Sequence, residues 1–352
     1  MTSLGGYILA SLVLALLFTP IVRKLAFVIG AVDQPNARKV HSRIMPRLGG
    51  VAIYMAFVLM VLATQTLTKQ TIGLLLGATI IVGLGIVDDV REVTPKVKLL
   101  LQFVAATILI CFGIEVEFIT NPFGGIIQLG WFSIPVTLLW IIGVTNAVNL
   151  VDGLDGLAAG IAGIAAGTLG VVAWMQGKHI EAGLALILMG SIFGFLRYNF
   201  YPAKIFMGDS GSMFLGFTLS ALSIMGLAKS AAVISLFIPI LVLGVPIMDT
   251  LFAIIRRYIN KQPIFQADKD HLHHRLLASG LSHPQTVMAI YVINVTLASS
   301  AVLLTVLTTT QSVFILVAVS VLVLVGANKL GVLGRKKVQP EPVVYEKTTI
   351  GG

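Results

Sequence analysis

Apolar runs near or above 17 residues recur along the whole of this 352-residue chain, and no other feature of the sequence limits its fold so severely. They begin at about 4–22, 48–66, 71–87, 99–114, 131–149, 156–174, 182–197, 211–228, 231–252, 287–307 and 311–327. Such lengths match the hydrocarbon thickness of a bilayer at the helical rise per residue. They are too long for barrel strands and lack a strict polar/apolar alternation. In hydrocarbon the backbone must satisfy its own hydrogen bonds, so the runs are predicted to be helices. The expected fold is all-α: a polytopic membrane protein with about eleven transmembrane helices. A mean hydropathy of +0.97, with only 11% charged residues, excludes a water-soluble domain.

Charge orients the bundle. No Lys or Arg precedes the first run, Arg23 and Lys24 follow it, and no small-residue cleavage site is evident, so it reads as a retained helix. With the loop after it placed in the cytoplasm, alternation assigns every other loop. All but Lys69, Lys178 and Lys229 of the 24 basic residues then lie inside. This is the positive-inside pattern, with the amino terminus outside and the carboxyl terminus cytoplasmic. Of the 15 acids only Glu115, Glu117 and Glu181 lie outside, so the net charge of +9 is cytoplasmic. Such a face attracts anionic headgroups and phosphorylated solutes, although topogenesis alone would also produce it.

No polar segment is long enough to bury a core of its own, so residues 1–328 read as one transmembrane domain. Its cytoplasmic loops are expected at 23–47, 88–98, 150–155, 198–210 and 253–286. Residues 329–352 read as a basic, disordered tail. No repeat suggests two homologous halves. The one cysteine, Cys111, excludes an internal disulfide and any Cys-based metal site, and its apolar neighbours suggest an inert buried thiol.

Against this background four polar clusters fall at one membrane face: "VDDVREVTPKVKLL", "NAVNLVDGLDGL", "FMGDSGSMFLG" and "DKDHLHHRL". Charge near hydrocarbon is costly, so its convergence signals a functional site. Asp88 and Asp89 point to different sides of a helix end, one toward a substrate and the other toward a partner, unless they merely flank the interface. Lys98, and with it Lys96, can meet a phosphate or simply snorkel. Asn146, Asn149, Asp152 and Asp155 recur every three residues and offer hard oxygen ligands or a nucleobase-reading edge. Helix capping would account for one of these four. Gly208 and Gly211 flank Asp209, whose carboxylate can take a metal while nearby amides meet phosphate oxygens; a plain N-cap is the simpler reading. His271, His273, His274 and Arg275 can bind an anion, and a zinc site fits their spacing poorly. Asp249 is expected to pair with Arg256 or Arg257 in a structural role.

Together the clusters suggest magnesium-assisted phosphoryl transfer between a soluble and a lipidic substrate. A secondary transporter using the acids as proton relays is the rival reading, although its site would lie nearer the midplane.

"PRLGG", "VDDV" with "PKVKLLLQ", "NAVNLVDGLDGLA", "FMGDSGSMFLG" and "HLHHRL" also resemble, in order, the motifs of the polyprenyl-phosphate N-acetylhexosamine-1-phosphate transferases. "PRLGG" and "HLHHRL" are similar to the N-acetylglucosamine branch that initiates wall teichoic acid, O-antigen or related glycans. The muramoyl-pentapeptide branch, with "PTMGG" and three successive histidines, is less similar. The resemblance implies transfer of N-acetylglucosamine 1-phosphate from UDP-N-acetylglucosamine to undecaprenyl phosphate in the bacterial cytoplasmic membrane, with magnesium, or manganese in its place. It implies Asp88 as the acid that deprotonates the lipid phosphate, Asp89 as its neighbour, and Lys98 on the pyrophosphate. Asn149 and Asp209 would contact the metal. Leu150, Asp155 and Phe206 would form the uridine pocket and the histidines the sugar-specificity loop, with Asn146, Asp152 and Arg275 also among the substrate-binding residues. The lipid bilayer is an expected partner, nucleic acid is not, and a homodimer is compatible with the sequence.

Overall fold

A computed structural model describes residues 4–34, 44–120, 125–227, 237–261, 271–329 and 331. Among them the chain forms α1 (Leu4–Ile29), α2 (Gly49–Thr64), α3 (Lys69–Arg91), α4 (Pro95–Cys111), α5 (Ser133–Val151), α6 (Leu157–Met175) and α7 (His179–Asn199). There follow α8 (Asp209–Leu227), α9 (Phe237–Val242), α10 (Gly244–Ile259), α11 (Leu272–Ala278), α12 (His283–Leu303) and α13 (Thr309–Lys329). Two small antiparallel ladders complete it: β1 (Val32–Asp33) with β2 (Met45–Pro46), and β3 (Phe118–Thr120) with β4 (Ile126–Gln128). Each of the eleven expected runs contains helix. Among the described residues seven helices are long and apolar enough to cross a membrane: α1, α3, α5 with its preceding turn, α6, α7, α12 and α13.

The centre of the bundle is α8. Every residue from Ser210 to Gly226 is buried, with α3 and α5 along its flanks and α2, α6 and α7 closing around it. Close approach is possible because glycines stand at the crossings. A Cβ at Gly85 of α3 would collide with the backbone of Ser210, and one at Gly50 of α2 with that of Gly211. At the periphery, α1 and α13 expose Leu9, Leu17, Phe314 and Leu322, as expected of helices facing lipid.

Several expectations are corrected. Helices reach further than the apolar runs, because polar residues continue the last turns. Asp88 and Asp89 thus lie within α3, and the link to α4 shrinks to 92–94, where Glu92 adopts φ 42° and Pro95 starts the next helix. The loops after α1, α7 and α10 likewise begin at 30, 200 and 260. The ninth run is interrupted: Pro246 has no amide for the Val242 carbonyl, and Leu243 separates α9 from α10, although its own amide and carbonyl still pair with Pro239 and Ile247. Cys111 is exposed: it ends α4 on the side of Val104 and Thr107, also exposed, while its apolar neighbours Leu109 and Ile114 are buried. The tail from 332, Asp268 to Asp270 of the histidine cluster, and Lys229 lie outside the described residues.

The glycine crossings make a testable contrast within α3. Gly83 has open space where a Cβ would sit, whereas Gly85 does not. Gly85→Ala is expected to cost about 1–3 kcal/mol by forcing α3 from α8. Gly83→Ala should leave the thermal midpoint of the purified protein unchanged or slightly higher.

Candidate active site

Three of the four clusters meet where α3 and α5 end and α4 and α8 begin. Pro95 and the short link fold α4 back beside α3, so Lys98 lies under Asp88. The Lys98 ammonium donates to Asp88 Oδ2 at 2.6 Å and to Asp209 Oδ2 at 2.7 Å. Asp88 Oδ1 accepts from the Val93 amide at 2.6 Å, which fixes the carboxylate against the end of its own helix. One ammonium thus joins two acids far apart in sequence, and both carboxylates are largely buried.

Asp89 turns the other way. Its oxygens accept from the amides of Asp209 at 2.9 Å and Ser210 at 3.1 Å. A carboxylate on the first two amides of a helix is favoured by hydrogen bonding and by the helix dipole. The expected anchoring of a phosphate by these amides is therefore corrected: Asp89 already occupies them. Asp89 thereby fixes the backbone at Asp209.

Asn149, in the last turn of α5, accepts from the Ser212 hydroxyl at 2.9 Å, one turn beyond Asp209. Helix α5 ends at Val151, so the three-residue stripe breaks there. Asp152 lies half-buried in the loop and is pushed up to about 7 by desolvation, then by the negative charges of Asp209 and Asp89. Asp155 accepts from the Ala203 amide at 2.9 Å and so fastens the loop before α8. Neither acid caps α6; Gly156, at φ 78°, is its N-cap. Asn146 is not in the acid cluster: its amide donates to Gln102 Oε1 at 2.8 Å, tying α5 to α4. Leu150 is exposed at the rim, and Phe206 exchanges backbone hydrogen bonds with Pro46 and Gly49.

The histidine cluster docks onto this loop. The His273 Nε2 lies 2.5 Å from where a Cβ of Gly153 would be, so any side chain there would displace the ring. His271 stacks parallel to His273 at 6.0 Å, and His274, exposed, lies 4.2 Å from His273. Burial, then His274, lowers His273 to about 3. The expected strengthening of anion binding by protonation does not apply to this ring near neutral pH. Arg275 is buried and donates to the Gly331 carbonyl at 2.5 Å. The expected pairing of Asp249 is also corrected: its oxygens accept from His271 Nδ1 and the Leu272 amide, each at 2.8 Å.

Sequence reasoning missed Arg47, whose guanidinium stands 3.6 Å from Asp89 and 3.5 Å from Asp33. It also missed Gln102, Ser212 and Asn199, the last of which joins Gly156 to Ile205. Arg47 belongs to the quoted "PRLGG", yet its target on α3 is visible only once the β1–β2 ladder places it.

Fold and site together define a polytopic helical membrane protein with a buried carboxylate–lysine centre at one end of its bundle. Residues 71–227 match the model of glycosyl transferase family 4. The probable undecaprenyl-phosphate N-acetylglucosaminyl 1-phosphate transferase of Bacillus subtilis (strain 168) is 48% identical over 331 residues, covering 93% of this chain and 92% of that protein. The decaprenyl-phosphate N-acetylglucosaminephosphotransferase of Mycobacterium tuberculosis (strain ATCC 25618 / H37Rv) is 35% identical, covering 77% and 74%. The phospho-N-acetylmuramoyl-pentapeptide-transferase of Halalkalibacterium halodurans is 33% identical, covering 84% and 94%. The chain belongs to glycosyl transferase family 4 and is a membrane-embedded transferase.

The depressed His273 links pH to stability. The unfolded chain binds a proton there below about 6.5, while the folded protein resists it down to about 3. Stability is therefore lost as pH falls below 6.5. The thermal midpoint should drop between pH 7 and pH 5, and His273→Gln should shallow that fall. The ring's NMR signals should not titrate between pH 5 and pH 8.

Proposed function

We propose that this protein transfers N-acetylglucosamine 1-phosphate from UDP-N-acetylglucosamine to undecaprenyl phosphate. The products are undecaprenyl-diphospho-N-acetylglucosamine and UMP. The reaction takes place at the cytoplasmic face of a bacterial plasma membrane, as the first membrane step of a cell-envelope glycan such as wall teichoic acid. One observation carries this reading: Asp88, Lys98 and Asp209, from three helices, converge within hydrogen-bonding distance at one end of the bundle. The names of the relatives supply the acceptor and the transferred group. The higher identity to the B. subtilis protein than to the muramoyl-pentapeptide transferase supports the N-acetylglucosamine branch.

An eleven-span arrangement, with α9 and α10 as one interrupted span, places every cluster on the side that carries the basic excess. A transporter would instead hold its acids near the midplane.

The donor set suits magnesium. Two carboxylates aim at one point, occupied by an ammonium, and Asn149 Oδ1 meets the Ser212 hydroxyl, one turn along α8 from Asp209. Among the described residues no three acids, histidines or cysteines form a ready cage. Few protein ligands, completed by water and phosphate oxygens, is the usual manner of holding magnesium. Asp209 and Asn149 would hold it, with manganese as a substitute, and bound metal would supply charge neutralisation on the leaving phosphate.

Asp88 accepts the proton of the lipid phosphate, and a phosphate oxygen attacks the β-phosphorus of the donor. The bond from that phosphorus to the bridging oxygen breaks, and UMP departs. A phosphate monoester has a second pKa near 6, so most acceptor is already dianionic at neutral pH and Asp88 acts chiefly by placement. Lys98 exchanges its carboxylates for pyrophosphate oxygens when the donor binds. Leu150, Asp155 and Phe206 face the uridine, Asp152 adjoins them, Asn146 braces the end of α5 through Gln102, and the His271–Arg275 segment reads the sugar.

The deciding experiment is transfer of labelled sugar phosphate by the purified protein. The wild type should form lipid-linked product and UMP with magnesium and none with EDTA, and Asp209→Asn should lose on the order of 100-fold or more in rate. Absence of transfer by folded protein with any UDP-sugar would overturn the reading. Single displacement further requires that labelled UMP fail to exchange into the donor when acceptor is withheld; exchange would establish an enzyme-bound intermediate instead.

A further inference from the structure

The break before α10 brings one acid to a place that the transfer chemistry above leaves unused. Asp249 and His271 are both buried, at 6% and 5% exposure, and share a 2.8 Å hydrogen bond through His271 Nδ1. The second oxygen of Asp249 accepts from the Leu272 amide at 2.8 Å, at the start of α11. On its other side Asp249 borders a cavity of about 270 Å³ walled by Val245, Met248, Phe252, Val292, Val319 and Leu322. The hydroxyl in that wall, on Thr296, donates to the Val292 carbonyl at 2.9 Å, so the carboxylate's partners are the ring and the amide. The His271 ring makes no other hydrogen bond among the described residues. Its face lies parallel to His273, which abuts the loop at Gly153.

We propose that Asp249 is a positioning residue that holds His271 with its proton on Nδ1, leaving Nε2 as the ring atom offered to the substrates. The proposal rests on the transferase reading above. A carboxylate accepts only, so a ring facing it must donate from Nδ1. Asparagine of the same shape would reverse this. The Leu272 amide requires an acceptor and so keeps the amide oxygen on its side. The Asn nitrogen then faces the ring and donates, making Nδ1 the acceptor and moving the proton to Nε2. A merely structural Asp249, serving only to cap α11, would tolerate Asn, because the cap survives the change.

The test uses the full-length protein in lipid nanodiscs with ¹⁵N-labelled histidine, the His271 signals being assigned through His271→Gln. Wild type should show His271 protonated at Nδ1, and Asp249→Asn should show it protonated at Nε2. In the transfer assay Asp249→Asn should lose on the order of 10- to 100-fold in kcat, with the donor KM within about twofold of wild type and the melting midpoint unchanged. Asp249→Glu, which retains the carboxylate, should restore the Nδ1 proton and most of the turnover. An unchanged His271 tautomer in Asp249→Asn, unchanged kcat, or a Glu variant no better than Asn would overturn the proposal. If wild type transfers no sugar phosphate at all, the transferase reading fails, and the ¹⁵N spectra alone still decide whether Asp249 sets the His271 proton.

Discussion

The carboxylate of Asp89 on the first two amides of α8 is the contact on which the rest of the site depends. It joins the end of α3 to the start of the most deeply buried helix. Because Asp88 is its neighbour in sequence and Asp209 supplies one of the amides, this single contact sets the two acids of the centre opposite each other. Lys98 completes the arrangement by giving both a common counter-charge. The glycines at the α3–α8 and α2–α8 crossings allow it, since any side chain there would hold the helices too far apart.

The surrounding loops are fastened separately. Asp155 holds the loop before α8 by the Ala203 amide, and Asn199 bridges Gly156 to Ile205. The histidine segment is held by Asp249 and rests against Gly153. Polar side chains are thus consumed largely in placing backbone. This is a consequence of building a site at a bundle end, where the helix termini leave amides and carbonyls unpaired. Fewer polar side chains are left for other partners than the clusters' composition suggests.

The helices and the polar face were legible in the sequence because hydrocarbon leaves the backbone few alternatives and makes each charge conspicuous. Asp88, Lys98, Asn149 and Asp209 could be singled out on that ground. Their division of labour could not. Asp88 and Asp89 are adjacent acids of identical chemistry, and only the position of α8 assigns one to Lys98 and the other to helix amides. Asn146 shares the three-residue spacing of its neighbours, yet it lies one turn deeper and is claimed by Gln102. Asp249 was placed on the wrong partner because spacing along one helix says nothing of a chain that returns from a later loop. Arg47 went unnoticed for the same reason, its target being on another helix.

The glycine crossings behind the acid centre have a consequence for how such a protein can change. Where Gly50 and Gly85 press against the first turn of α8, no bulk can be added without displacing Asp209. The rear of the centre is thereby closed to variation. The loop before α8 and the segment from His271 to Arg275 are moored instead by hydrogen bonds of their own. The acid centre and these two segments thus occupy separately anchored stretches of backbone.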